Sequence, residues 1–251
     1  MKVILYNILL CIMAILPPVA YAQPKANADA AYRAGDYQKA LRYYADATKG
    51  GAVATETYYN MGNAHFRMGN YAQAMVAYLR ALKQSPSNQD ILHNIEITAN
   101  KTIDRLPVDT DVFVVKWYKG VLCSIPVDAW AIMALAALAC SLILYLLYLF
   151  MESITVRRTA FFSSLFLGLV FLFAILFAYQ QHRMLLTYDK GVVIQEMVAV
   201  KSSPTQKSSD VFTIHEGTVL TIDDADIEGW YAIHLSDGRQ GWIQSSAVET
   251  I

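Results

Sequence analysis

The amino-acid sequence predicts a multi-domain membrane protein in three parts: an all-α helical repeat, a transmembrane helical hairpin and a small all-β barrel. Three observations lead there. The N-terminal third repeats itself with a 34-residue period. Residues 129–151 and 159–182 contain no Asp, Glu, Lys or Arg. From Lys190 onward the pattern changes to short apolar runs separated by turn residues. The predicted boundaries are 1–22 for a signal peptide, 23–106 for the repeats and 107–128 for a juxtamembrane linker. Spanning helices follow at 129–150 and 160–180 with a connector at 151–159, and the barrel occupies 189–251.

At the N-terminus, Lys2 precedes an apolar run, and Ala20-Tyr21-Ala22 supplies a small-x-small site. That is the pattern of a secretory signal cut before Gln23. The chain as a whole is 55% hydrophobic and 16% charged, with net charge -1, which excludes a strongly basic nucleic-acid binder. Cys11 falls in the signal and Cys140 in the first apolar run, so Cys123 has no soluble partner. No disulfide framework and no CxxC pair is available.

The repeat is clearest in residues 55–88, TETYYNMGNAHFRMGNYAQAMVAYLRALKQSPSN. Shifting by 34 aligns Gly35 with Gly69, Tyr37 with Tyr71, Ala40 with Ala74, Tyr44 with Tyr78 and Ala47 with Ala81. Gly62 and Ala74 are expected where paired helices cross, Tyr71 and Tyr78 between neighbouring repeats, and Pro86 at the end of the second helix. With Tyr58, Met61 and His65, these positions resemble the tetratricopeptide repeat, although Met and His replace the usual Leu and Tyr. The first repeat starts near Ala26 without its opening residues, and residues 89–105 supply a final amphipathic helix with Ile91, Leu92, Ile95, Ile97 and Ile103. About two and a half repeats result, near the minimum for a stable stack.

Arg33, Arg67 and Lys101 recur at the same position of successive repeats, 34 residues apart. With Asn60, Asn63 and Asn94 they form the candidate binding set, a basic ladder suited to an extended peptide carrying carboxylates. The alternative is an ordinary solvated face. Protein binding by the repeats as a whole follows from the resemblance, since such repeats carry no chemistry of their own.

Between the repeats and the membrane, Val112, Phe113, Val114, Val115, Trp117 and Tyr118 accompany Lys116 and Lys119. This stretch suits either the headgroup layer or a helix packed on the repeats. Each charge-free run then supplies about 20 apolar residues, enough at 1.5 Å per residue for a hydrocarbon core of ~30 Å. The second run holds thirteen Leu, Ile, Val or Phe between Ala160 and Tyr179. At a few tenths of a kcal/mol each, its insertion is favourable by roughly 4–6 kcal/mol. Ala136/Cys140, Ala137/Ser141 and Ser164/Gly168 are small-xxx-small pairs that let helices approach closely. Two crossings return the chain to the side where it began, with Arg157 and Arg158 of the connector on the other. Lys116, Lys119, Arg183 and Lys190 balance those arginines, so orientation rests on the signal.

The C-terminal part reads as runs at 192–194, 197–200, 211–214, 218–222, 230–235 and 240–244. Five or six short strands with Gly-bearing turns imply a small barrel. Val198-Ala199-Val200-Lys201-Ser202-Ser203-Pro204, His215-Glu216-Gly217-Thr218-Val219, Gly229-Trp230-Tyr231 and Asp237-Gly238-Arg239-Gln240-Gly241-Trp242-Ile243 resemble the bacterial SH3 domain. Ser203 departs from that family's usual Gly. Trp230 and Trp242 are expected in the core and at its rim, and Tyr231 is the exposed candidate for a peptide or cell-wall glycan. The acids of residues 223–228 lack the glycine-centred spacing of a calcium loop. Residues 190–251 carry 4 basic and 9 acidic groups, net -5, and residues 23–110 carry 10 and 8, net +2. The modules therefore have opposite charge.

His65, His93, His182, His215 and His234 pair with no Cys, Asp or Glu at metal-ligand spacing, and no GxSxG, HExxH or phosphate-cradling loop occurs. No catalytic site, metal or cofactor is expected. The order of parts resembles the BatE-type proteins of the bacterial aerotolerance operon. That resemblance implies a periplasm-facing, two-pass inner-membrane protein. Its implied partners are membrane proteins with von Willebrand A-type domains and their MoxR-type ATPase, in oxidative-stress or envelope homeostasis. A non-enzymatic adaptor is the expectation; a cell-wall recognition protein, with glycan on the SH3 module, is the alternative.

Overall fold

A computed structural model of the protein describes residues 22–49, 53–106, 113–186, 189–227 and 229–251. The predicted signal, apart from Ala22, and the linker's first six residues lie outside the described residues. Five antiparallel-paired helices open the fold: α1 (Ala22–Arg33), α2 (Tyr37–Thr48), α3 (Thr55–Arg67), α4 (Tyr71–Gln84) and α5 (Gln89–Ala99). The hairpins α1–α2 and α3–α4 turn at Gly35 and Gly69, whose φ angles of 81° and 80° fall where a side chain on Cβ is strained. Asp36 and Asn88 then cap α2 and α5 by accepting from backbone N–H groups of Lys39 and of Asp90 and Ile91.

The crossing expected at Gly62 is tight. A Cβ there would come within 2.4 Å of the Tyr78 ring, so only hydrogen fits between α3 and α4. Ala40, Ala64, Ala74 and Ala81 are fully buried among the repeat helices. The last helix is shorter than its apolar pattern: α5 stops at Ala99, and Ile103 lies beyond it, 71% exposed. Asn100, Lys101 and Thr102 turn the chain instead, with the Thr102 hydroxyl donating to the Ala99 carbonyl.

α6 (Phe113–Leu122) leads to the apolar pair α7 (Val127–Phe150) and α8 (Ile154–Leu186). Both α7 and α8 are long and apolar enough to cross a membrane. Their outward surface is apolar as well: Leu142, Leu165, Phe166 and Phe173 are each more than half exposed, a cost no water-facing helix bears easily. Inside the hairpin Ser141 and Ser164 exchange hydrogen bonds, each hydroxyl donating to the other's carbonyl at 2.9 and 3.0 Å. Ala137 is buried and Gly168 faces Ser141, whereas Ala136 and Cys140 point outward. Two of the three small-residue pairs thus pack the hairpin.

The C-terminal part is a seven-stranded antiparallel sheet: β1 (Lys190–Val193), β2 (Met197–Lys201), β3 (Asp210–His215), β4 (Val219–Ile227), β5 (Trp230–His234), β6 (Gln240–Gln244) and β7 (Val248–Thr250). Its order is β3-β2-β6-β5-β4-β1-β7, so the sheet is open, and the closed barrel expected from the sequence is not formed among the described residues. The edge strand β7 was not legible in the sequence. It is only 3 residues long and gains its pairing from β1 (Gly191 with Thr250, Val193 with Val248). Val193, Val200, Ile214, Leu220, Ile233, Leu235 and Ile243 form the sheet's buried core.

The helical and β modules are packed together. Val192 of β1 belongs to the same buried cluster as Met75, Val76, Tyr78 and Leu79 of α4, with Val219 and Ile251 against it. This explains why α4 is apolar around most of its circumference: eight of its residues are buried, between α3, α5 and the sheet.

Candidate functional site

The first helices of the repeats, α1, α3 and α5, line one groove. Tyr32, Asn63, Phe66, Arg67, Asn94 and Ile97 face it, with Tyr78 of α4 reaching up between them; its volume is about 350 Å³. The local reason is periodicity. Tyr32 and Phe66 are one repeat apart, as are Asn63 and Ile97, so a 34-residue period places equivalent side chains side by side.

A hydrogen-bond ladder runs through the floor. Tyr78 Oη donates to Asn63 Oδ1 at 2.7 Å, and Asn94 Nδ2 donates to the same oxygen at 3.0 Å. One repeat earlier, Tyr44 Oη donates to Asp29 Oδ1 at 2.6 Å, and Asn60 Nδ2 reaches that oxygen at 3.3 Å. Asn94 Nδ2 also lies 3.1 Å from Tyr59 Oη. Burial pushes the Tyr44 phenol well above its ordinary range, and the neighbouring Asp29 carboxylate adds to the shift. Burial does the same for Tyr78, helped by nearby Tyr59. Both phenols thus stay protonated as donors.

Of the predicted binding residues, Asn63, Arg67 and Asn94 come together in this groove. Asn60 belongs to the ladder of the preceding repeat. Arg33 and Lys101 are exposed at the equivalent positions to Arg67, outside the groove lining. Arg67 lies beside Tyr32, whose phenol oxygen favours the charged guanidinium. Tyr231 is elsewhere: on β5, half-buried against the sheet core. Asp29, Tyr32, Phe66 and Ile97 were missed, although shifting Asn63 and Phe66 by 34 residues points to three of them. The sequence shows equivalence but not that an asparagine amide is spent on its neighbour.

The second constellation joins the modules. Arg80 donates to Glu249 at 3.0 Å and Gln73 to the other carboxylate oxygen at 3.2 Å. Arg80 and Lys83 also reach the backbone oxygens of Thr250 and Ile251, at 3.4 and 2.9 Å, which covers the free edge of β7. Beyond α5, Asp104 Oδ2 accepts from the His215 N–H at 2.6 Å and from the Thr218 hydroxyl at 2.8 Å, while His215 Nδ1 lies 3.3 Å away. Gly217 makes this approach possible, since at φ 84° its Cβ position lies 2.5 Å from the Thr102 methyl. Burial pushes the Asp104 carboxyl up, but the bonds from His215 and Thr218 outweigh it and hold it below the usual carboxylate range. Arg80–Glu249 follows the expected charge complementarity; Asp104–His215 reverses it.

Among the described residues no group of three or more His, Cys, Asp or Glu is placed to hold a metal ion. Compared with known families, a tetratricopeptide repeat model matches residues 55–88, the stretch that forms α3 and α4. A search of curated proteins finds no match. The N-terminal helices are thus a tetratricopeptide-like module followed by two apolar helices and an antiparallel sheet, and such repeats mediate protein–protein interaction.

Proposed function

We propose that the protein is a non-enzymatic, membrane-anchored adaptor whose repeat groove holds an extended, carboxylate-bearing segment of a partner protein. The observation that carries this reading is that the groove stays open while the β module docks elsewhere. Gln73, Arg80, Lys83 and Asp104 hold the sheet, and none of them lines the groove. Arg67, with the amide ladder around it, supplies the cation and the polar floor for a peptide carboxylate.

In this reading α7 and α8 span the inner membrane of a bacterium, residues 1–22 direct export, and both soluble modules stand on the periplasmic side. The motif resemblance of residues 189–251 supports a bacterial SH3-type origin for the open sheet. The order of parts supports a role beside von Willebrand A-type membrane proteins in an aerotolerance or oxidative-stress complex. The glycan alternative would draw on Tyr231, which is half-buried on β5.

The test is cross-linking of the full-length protein in its native membrane, for wild type and for a triple charge reversal of Arg33, Arg67 and Lys101. Loss of the captured partner in the variant is the expected result. Capture at wild-type level refutes the basic groove as the binding surface.

A further inference from the structure

α6 presents an exposed apolar stripe. Val114, Trp117 and Val121 follow the i, i+3, i+7 spacing that aligns side chains along one helix face, and Val114 and Trp117 are 69% and 63% exposed. The neighbouring stripe is used for packing. Leu122 is buried, and Tyr118 sits edge-on to Phe177 of α8 at 6.3 Å. Trp130 of α7 packs on the same ring at 5.0 Å, and its indole N–H donates to the Leu122 carbonyl. The repeats meet this region just beyond the helix, where the Ser87 hydroxyl donates to the Cys123 carbonyl at 3.0 Å. One side of α6 is thus fixed to the apolar hairpin while its Trp117 side stays open.

Phe177 sets the depth of this helix. From Arg158 to Phe177 is about 28 Å along α8, and from Trp130 to Phe150 about 30 Å along α7, at 1.5 Å per residue. Both lengths match a hydrocarbon core of ~30 Å. With Arg158 and Phe150 at one face of that core, Phe177, Trp130 and Tyr118 stand at the other, in the layer where Trp and Tyr are enriched. The apolar surface is continuous there. Leu172, Phe173 and Leu176 of α8 are exposed, and a groove lined in part by Leu176, Tyr179 and Val115 carries that surface onto α6.

We infer that α6 is an interfacial membrane helix, with Val114, Trp117 and Val121 inserted at the headgroup–acyl boundary of the bilayer that α7 and α8 cross, on the side of the soluble modules. The inference rests on the reading of α7 and α8 as membrane-spanning. Depth identifies the occupant as lipid, because a stripe level with Phe177 meets acyl chains and ester groups before it meets a water-borne partner. Burial of apolar and aromatic area carries the contact, so a zwitterionic bilayer suffices. Insertion also places Ser87, in the turn between α4 and α5, close to the membrane surface.

The experiment is tryptophan fluorescence quenching of the full-length protein in phosphatidylcholine vesicles. Comparison of each protein with its Trp117→Phe counterpart isolates Trp117 from Trp130, Trp230 and Trp242. One set of vesicles contains phosphatidylcholine brominated on its acyl chains near the ester end; another holds iodide in the water on both sides. Alkaline extraction of native membranes runs in parallel. In wild type the Trp117 emission should be lost to the brominated lipid and kept in iodide. Val114→Glu with Val121→Glu should reverse that pattern while the protein stays alkali-resistant. Trp117 still quenched by lipid in this variant overturns the stripe as the inserted surface. Loss of the wild-type Trp117 emission to iodide overturns the insertion, and loss to neither quencher overturns it in favour of a protein partner on this face. Release of wild type by alkali refutes the spanning reading instead, so the two failures are distinguishable.

Discussion

At Asn63 a single carbonyl oxygen accepts from both Tyr78 and Asn94, and Asp29 does the same work for Tyr44 and Asn60 one repeat earlier. The repeats thus share an acceptor-centred joint in which Asn and Asp are interchangeable as acceptors. Asn63→Asp should therefore change stability little. Asn63→Leu strands the Tyr78 hydroxyl, leaves the Asn94 amide with Tyr59 alone and should cost about 1–3 kcal/mol. Urea unfolding of the full-length protein in detergent checks both. The 34-residue period makes positions 29, 63 and 97 equivalent, but a sequence gives no sign of which polar groups satisfy each other. Arg67 is the opposite case: its recurring basic character was visible, and it does stand at the groove.

Among the elements, α8 departs furthest from the expectation of about twenty residues, for it runs 33, from Ile154 to Leu186. The length of a bilayer core limits a charge-free run, not a helix; Arg157, Arg158 and Arg183 continue the same backbone ladder beyond the apolar run. The hairpin itself relies on close approach around Ser141, Ser164 and Gly168. Ser164→Leu removes the bond that its hydroxyl donates to the Ser141 carbonyl and inserts a larger side chain between the helices. It should weaken the α7–α8 contact by about 0.6–1.7 kcal/mol from the lost bond. Cysteine cross-linking between the two helices in native membranes should fall accordingly, and unchanged efficiency contradicts this packing.

For the whole molecule, the docking of the β module on α4 makes one rigid core from two sequence-distant parts, and Asp104 is its polar fastening. Its carboxyl titrates below the usual range in the folded protein, so the fastening stabilises above the ordinary Asp value of ~3.9 and is lost as pH falls through the depressed value. Asp104→Ala leaves the His215 N–H and the Thr218 hydroxyl unpaired and should cost about 1–3 kcal/mol near neutral pH. The gap between wild type and Asp104→Asn should narrow as pH is lowered from 6 toward 3. Hydrogen exchange at α4 and β1 amides reads the docking directly.

Helix period, charge-free length and strand alternation are local properties, and they determined the repeats, the two apolar helices and the β character of the C-terminal part. The turn glycines and the close crossing at Gly62 followed from the same local steric limits. Only the tertiary structure decided the rest. β7 takes its register from β1, the sheet stays open with α4 side chains on its edge, and Asp104 meets His215 across more than a hundred residues. The overlay of α6 on α8 belongs to the same class. Such contacts depend on which surfaces meet in space, and a chain encodes that meeting in the summed burial of many residues rather than in any pattern along it.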